Sequence, residues 1–100
     1  MNMLFICNQH QHRSVTAEQL FKKNHNTQSA GIYNDPVTEK QLAWADLIIV
    51  MEETQREELG KRFPKYYLTK NIINLNIPDL YNRNNPQLKL LLQERMQPLL

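Results

Sequence analysis

The segment Cys7-Asn8-Gln9-His10-Gln11-His12-Arg13-Ser14 puts a thiol and a guanidinium at the two ends of a short loop. A loop of that length can curl its backbone N–H groups inward around one tetrahedral anion, and a helix starting at its far end adds partial positive charge. Arg13 then offers a planar fork to two of the anion's oxygens. A thiol at the base of such a cradle is a nucleophile, because the helix end and the cation favour the reactive thiolate, to which Ser14 can donate a hydrogen bond. Displacement at phosphorus also needs an acid for the leaving oxygen. Asp79 is the best candidate: Pro78 stiffens its approach and Tyr81 can line the opening. Asp35 before Pro36 reads as a helix start, and Asp46 falls at the beginning of a strand. Taken singly, Cys7 is an ordinary buried strand end and Asp79 an ordinary turn residue. Their shared setting points to chemistry.

That setting comes from the elements around them. Met3 to Cys7 is a continuous apolar run, as in a strand buried on both faces of a parallel sheet. Ser14 can cap a helix that carries Val15, Ala17, Leu20 and Phe21 and ends at Lys22-Lys23-Asn24. Asn26 to Gly31 reads as an edge strand, and Asp35-Pro36 starts a helix running to about Trp44. Ala45 to Met51 is the strongest strand, and Glu52-Glu53 opens a helix that stops before Pro64. A turn and a fourth strand, Asn71 to Leu75, follow. Asn85-Pro86 then starts a last helix with the stripe Leu88, Leu91, Leu92 and Met96, read as core, and Pro98 stops it. Alternating strands and helices imply an α/β architecture: three layers, a parallel sheet with right-handed crossovers and helices on both faces. In such sheets the site lies beyond the carboxyl ends of the strands, where Cys7, Ser29 to Gly31, Met51-Glu52 and Asn76 to Asp79 fall.

With 100 residues, 41% of them hydrophobic, the chain is expected to form one domain over residues 1–100. A net charge of +2 without a basic cluster gives no reason to expect nucleic acid as a partner. The longest apolar run, Leu47 to Met51, is far too short to span a membrane, and no leader pattern precedes the first strand, so a cytoplasmic location is expected. One cysteine excludes an intramolecular disulfide, and two glycines exclude a glycine-rich nucleotide loop.

The sequence resembles the low-molecular-weight protein tyrosine phosphatases, particularly their short bacterial and archaeal group, over nearly its whole length. The resemblance rests on Leu4 to Cys7, Arg13-Ser14 with Ala17-Glu18, Ser29-Ala30-Gly31, Trp44 to Ile48, Val50-Met51-Glu52 and Ile77-Pro78-Asp79. It implies a four-stranded parallel sheet in the order 2-1-3-4, a phosphocysteine intermediate, and neither metal nor other cofactor. By motif, Cys7 corresponds to the nucleophile, Arg13 to the phosphate clamp, Ser14 to the hydrogen-bond donor of the thiolate and Asp79 to the general acid. Asn8, Gln9, His10, Gln11 and His12 supply the rest of the phosphate-binding loop. Ser29 and Tyr81 are supporting residues. Three departures stand out. His10 replaces the family's usual asparagine, which bonds a serine at the place of Ser29. His12 replaces a second cysteine found in many members, and the loop lacks its frequent glycine.

The leading expectation is a phosphomonoester hydrolase acting on a phosphorylated protein or a small phosphomonoester, as a monomer or an oligomer. The alternative is a weak or inactive module that binds phosphate or phosphotyrosine. A phosphocarrier like the cysteine-phosphorylated sugar-transport subunits is disfavoured by Arg13, since such proteins generally lack the loop arginine. Arsenate reduction through a disulfide within the chain fails on the cysteine count, although a version using an external thiol stays open. A metal site on Cys7, His10 and His12 is disfavoured because three ligands so close in sequence do not readily close a tetrahedron.

Overall fold

The computed structural model describes every residue from Met1 to Leu100. Its strands are β1 (Asn2–Cys7), β2 (Asn26–Gly31), β3 (Leu47–Val50) and β4 (Asn71–Asn74), and its helices are α1 (Arg13–Phe21), α2 (Glu39–Trp44), α3 (Glu53–Arg62), α4 (Pro64–Thr69) and α5 (Pro86–Met96). A short 3₁₀ turn, Gln97–Leu99, closes the chain. The strands form one four-stranded sheet in the order β2-β1-β3-β4. All pairings are parallel, with Cys7 beside Gly31 and Ile6 beside Val50.

Alternation along β1 divides the core into two layers. Met3, Phe5 and Cys7 face α1 and α5, where Ala17, Phe21, Leu88, Leu92 and Met96 complete one cluster. Leu4 and Ile6 face the other way, toward Leu42, Ile48, Val50 and Leu59. Two buried faces explain why β1 from Met3 onward and all of β3 are apolar without interruption. Leu88, Leu92 and Met96 are completely buried, so the stripe on α5 is core. Asn85 caps that helix by accepting from Gln87 N–H, and Pro86 occupies its first turn. No helix is long and apolar enough to cross a membrane.

Several boundaries differ from those expected. Asp35 has a left-handed backbone (φ 46°), and Pro36 pairs with Gly31 as an isolated bridge, so neither starts a helix. α2 begins at Glu39 under a capping box in which Thr38 and Gln41 bond each other's backbone. Ser14 lies within the first turn of α1 and does not cap it, because its hydroxyl is turned toward Cys7. α1 stops at Phe21, and β3 and β4 are each shorter than expected, at four residues. The segment before β4 contains α4, for which Pro64 supplies a prearranged first turn.

Gly31 ends β2 where the chain folds back tightly. A Cβ there would come 1.9 Å from the Asn34 carbonyl oxygen and 3.1 Å from that of Asn8, so no larger residue fits behind the loop that follows β1.

Candidate active site

β1 delivers Cys7 to the carboxyl edge of the sheet, 3% exposed. Its Sγ lies 3.0 Å from the Oγ of Ser14, which is fully buried one turn into the site. A hydroxyl so placed can solvate a thiolate where water has little access.

From Asn8 to Ser14 the backbone shows a consistent division of labour. Its carbonyls are spent on the surrounding protein: Asn8 O accepts from Ile32 N–H and Tyr33 N–H at 3.1 and 2.9 Å, and His12 O from Thr16 N–H at 2.9 Å. Gln9 O accepts from Asn34 Nδ2 at 3.0 Å and Gln11 O from Arg83 Nε at 2.8 Å. None of the N–H groups in the same stretch donates to another group of the chain. Such a run of unspent donors, ending at a helix N-terminus, has the chemistry to receive an anion. It borders a cavity of about 450 Å³. Cys7, Gln9, Gln11, His12 and Arg13 line one side of it, and Asp79, Leu80, Tyr81 and Asn82 the other.

The loop keeps its shape without glycine. His10 takes the left-handed conformation (φ 54°), which histidine tolerates better than most residues. Its Nε2 lies 2.7 Å from Ser29 Oγ and its Nδ1 3.1 Å from Asp35 Oδ2. Ser29 in turn donates to Glu18 on α1. Histidine thus holds the loop to β2 where the resemblance leads one to expect asparagine, and Asp35 gives it a second anchor.

Arg13 is only 2% exposed, and its orientation is fixed. Nη1 donates to Glu52 Oε2 at 2.8 Å and to Ile77 O at 2.7 Å, which uses both of its protons. Nε stands 3.8 Å from Asp79 Oδ1, beyond hydrogen-bond length. The Nε–Nη2 edge therefore remains as a fork for two oxygens of a ligand. Buried Gln55 braces the same corner: its Oε1 accepts from Met51 N–H at 2.7 Å and Glu52 N–H at 3.0 Å, while Nε2 donates to Asn8 Oδ1 at 3.1 Å.

Asp79 lies across the cavity, its side chain 58% exposed. Ile77 continues the sheet edge through its N–H to Met51 O at 2.9 Å, and Leu80 N–H folds back to Pro78 O at 2.9 Å. Arg95 on α5 donates to the carbonyls of Leu75 and Asn76 and holds the approach to this loop. Tyr81 is half-buried against the face of the core that includes Cys7. The structure therefore brings Cys7, Gln9, Gln11, His12, Arg13, Asp79 and Tyr81 to one cavity, with Ser14 buried behind Cys7. Ser29 stands behind the loop, and the side chain of Asn8 turns to Gln55. Cys7, His10 and His12 do not converge on a common point: His10 faces Ser29 and Asp35, and His12 accepts from Arg83 N–H.

Sequence reading put Glu52 at the site's edge of the sheet without giving it a role, and missed Gln55, Asp35 and Arg83 as parts of this site. Only Glu52-Glu53-Thr54-Gln55 carried a local signal, the spacing of a capping box, which is present at the start of α3.

Comparison with solved structures places this architecture. A low-molecular-weight phosphotyrosine phosphatase from Vibrio cholerae O395 superposes with a TM-score of 0.79 at 19% identity, covering 99% of this chain and 94% of that one. The tyrosine phosphatase Wzb from Escherichia coli K30, solved with phosphate, gives 0.79 at 18% identity over 98% and 94%. This chain has the low-molecular-weight protein tyrosine phosphatase fold. An arginine phosphatase, YwlE from Geobacillus stearothermophilus, shares it with a TM-score of 0.74 at 15% identity, covering 98% and 92%. No protein-family model matches the sequence, and no curated protein matches it.

Proposed function

We propose that the protein is a cysteine-dependent phosphatase that hydrolyses phosphomonoesters, of the protein tyrosine phosphatase type, as one domain over residues 1–100. The observation that carries this reading is the loop in which the carbonyls of Asn8, Gln9, Gln11 and His12 are turned to the protein while the N–H groups are unspent, closed by Cys7 at one end and the free fork of Arg13 at the other.

The phosphoryl group sits on the loop N–H groups and the Nε–Nη2 edge of Arg13. The Cys7 thiolate attacks phosphorus, forming an S–P bond as the bond to the leaving oxygen breaks. That oxygen takes the proton of the Asp79 carboxyl. Asp79, now a carboxylate, accepts a proton from a water molecule as the water oxygen attacks the phosphocysteine. The S–P bond breaks, inorganic phosphate leaves and the thiolate returns. Ser14 stabilises the thiolate at both stages. Asn8, Gln9, His10, Gln11 and His12 contribute backbone donors, and His10 with Ser29 keeps the loop in shape.

The solved structures of this fold include tyrosine phosphatases and an arginine phosphatase. For this chain Tyr81 beside Asp79 favours an aryl phosphate such as phosphotyrosine, since its ring can pack against that of the substrate. A reducing, cytoplasmic compartment suits an unpaired catalytic thiol. Hydrolysis of p-nitrophenyl phosphate by wild type and Cys7→Ser tests the reading. Turnover that resists EDTA, stops with vanadate and is absent from the serine variant supports it, whereas an active serine variant overturns it.

A further inference from the structure

We infer that His12 is a positioning residue for the acid: its ring nitrogen Nδ1 latches the loop carrying Asp79 onto the phosphate loop. This inference rests on the reading of Asp79 as the acid. Asn82 to Asn85 form a turn, closed by Asn85 N–H to Asn82 O at 3.1 Å, with Asn84 in the left-handed conformation (φ 63°). The turn points two successive N–H groups at α1 and the residue before it. Arg83 N–H donates to His12 Nδ1 at 3.0 Å, and Asn84 N–H donates to Thr16 Oγ1 at 3.0 Å. His12 and Thr16 are four residues apart and therefore share one face of the helical turn. The Arg83 side chain adds a third tie, from Nε to Gln11 O at 2.8 Å.

These contacts fix the far end of the segment whose near end is fixed at Ile77, by Met51 O and by Arg13. Asp79 lies between the two anchors on an otherwise exposed stretch. Without the far anchor, its carboxyl can swing away from a leaving group over the cavity. Without His12 only the Thr16 bond and the exposed Arg83 side chain's bond to Gln11 O would remain, and the Arg83 backbone itself would be unheld.

The contact also fixes a proton. Nδ1 receives a backbone N–H, so it carries no hydrogen, and the neutral ring has its proton on Nε2. A second proton on Nδ1 would face the Arg83 N–H and break the latch.

A misplaced acid matters only when the leaving oxygen needs a proton. p-Nitrophenolate departs readily without one, and phenolate does not. His12→Ala should therefore lower kcat on phenyl phosphate about tenfold relative to p-nitrophenyl phosphate, part of the roughly 10²–10⁴ that a placed acid supplies. Vanadate should inhibit the variant as it does wild type. His12→Asn, whose Oδ1 can replace Nδ1 as acceptor, should recover most of the loss. Hydrogen exchange at the Arg83 amide, faster in His12→Ala and restored in His12→Asn, reads the latch without any turnover. Equal losses on both substrates, or weakened vanadate inhibition, would mean that His12 shapes the cradle and would overturn the latch. So would an unchanged Arg83 exchange rate. A protein with no hydrolysis but the expected exchange pattern would instead remove the phosphatase reading and keep the contact.

Discussion

The proposed phosphate loop and the proposed acid loop face each other across one cavity, yet they are built to different standards. In the first, Cys7, Arg13 and Ser14 are at most 3% exposed, and the carbonyls between them are held by β2's continuation, α1 and Arg83. In the second, Asp79 and Leu80 are exposed and fastened only at the ends of their segment. A charge that develops on phosphoryl oxygens is stabilised by donors that need not reorganise, so the cradle must be rigid before substrate arrives. A proton donor has to admit the substrate first and meet the leaving group afterwards, so it tolerates, and uses, a looser mounting.

Changes in the two loops should accordingly fail in different ways. The largest effect should come from Cys7→Ser, a loss of turnover on every substrate of roughly 10⁴-fold or more, measured by phosphate release. Arg13→Ala should follow, with about 10²–10³ lost from kcat and vanadate inhibition weakened together with it, because its free fork serves ground state and transition state alike. Asp79→Asn should spare vanadate inhibition and p-nitrophenyl phosphate relative to phenyl phosphate, on which about 10²-fold should be lost. If Asp79→Asn weakened vanadate as much as Arg13→Ala does, the two loops would not be separate devices. The smallest effect, on stability, should be that of Gln55→Ala. It leaves the buried N–H groups of Met51 and Glu52 without their acceptor at a cost of about 1–3 kcal/mol, read by denaturant unfolding.

The rigid loop was also the legible one. Cys7 and Arg13 stand at the ends of one short segment, and the apolar run before it and the periodic helix after it fix how that segment must bend. The buried stripe of α5 was readable for the same reason, since it follows from a local pattern, whereas the sheet order came from the family resemblance. The braces were not. Glu52 reaches Arg13 across 39 residues, Gln55 reaches Asn8 across 47 and Arg83 reaches Gln11 across 72, and each looks like an ordinary surface side chain in its own stretch. Asp35 was misread for a related reason: Asp-Pro is a common helix start, but here the carboxylate serves His10 and Pro36 lies against Gly31. Ser14 has the residue type of a helix cap, and only the proximity of Cys7 Sγ reveals its other use.

In the proposed reaction phosphate passes through sulfur. The protein would be mixed with an aryl phosphate, quenched within a turnover and digested, and the peptide containing Cys7 weighed. A phosphoryl group on Cys7 that appears during turnover and decays as substrate is exhausted is the predicted result. Steady hydrolysis with an unmodified Cys7 peptide at every time point would contradict it.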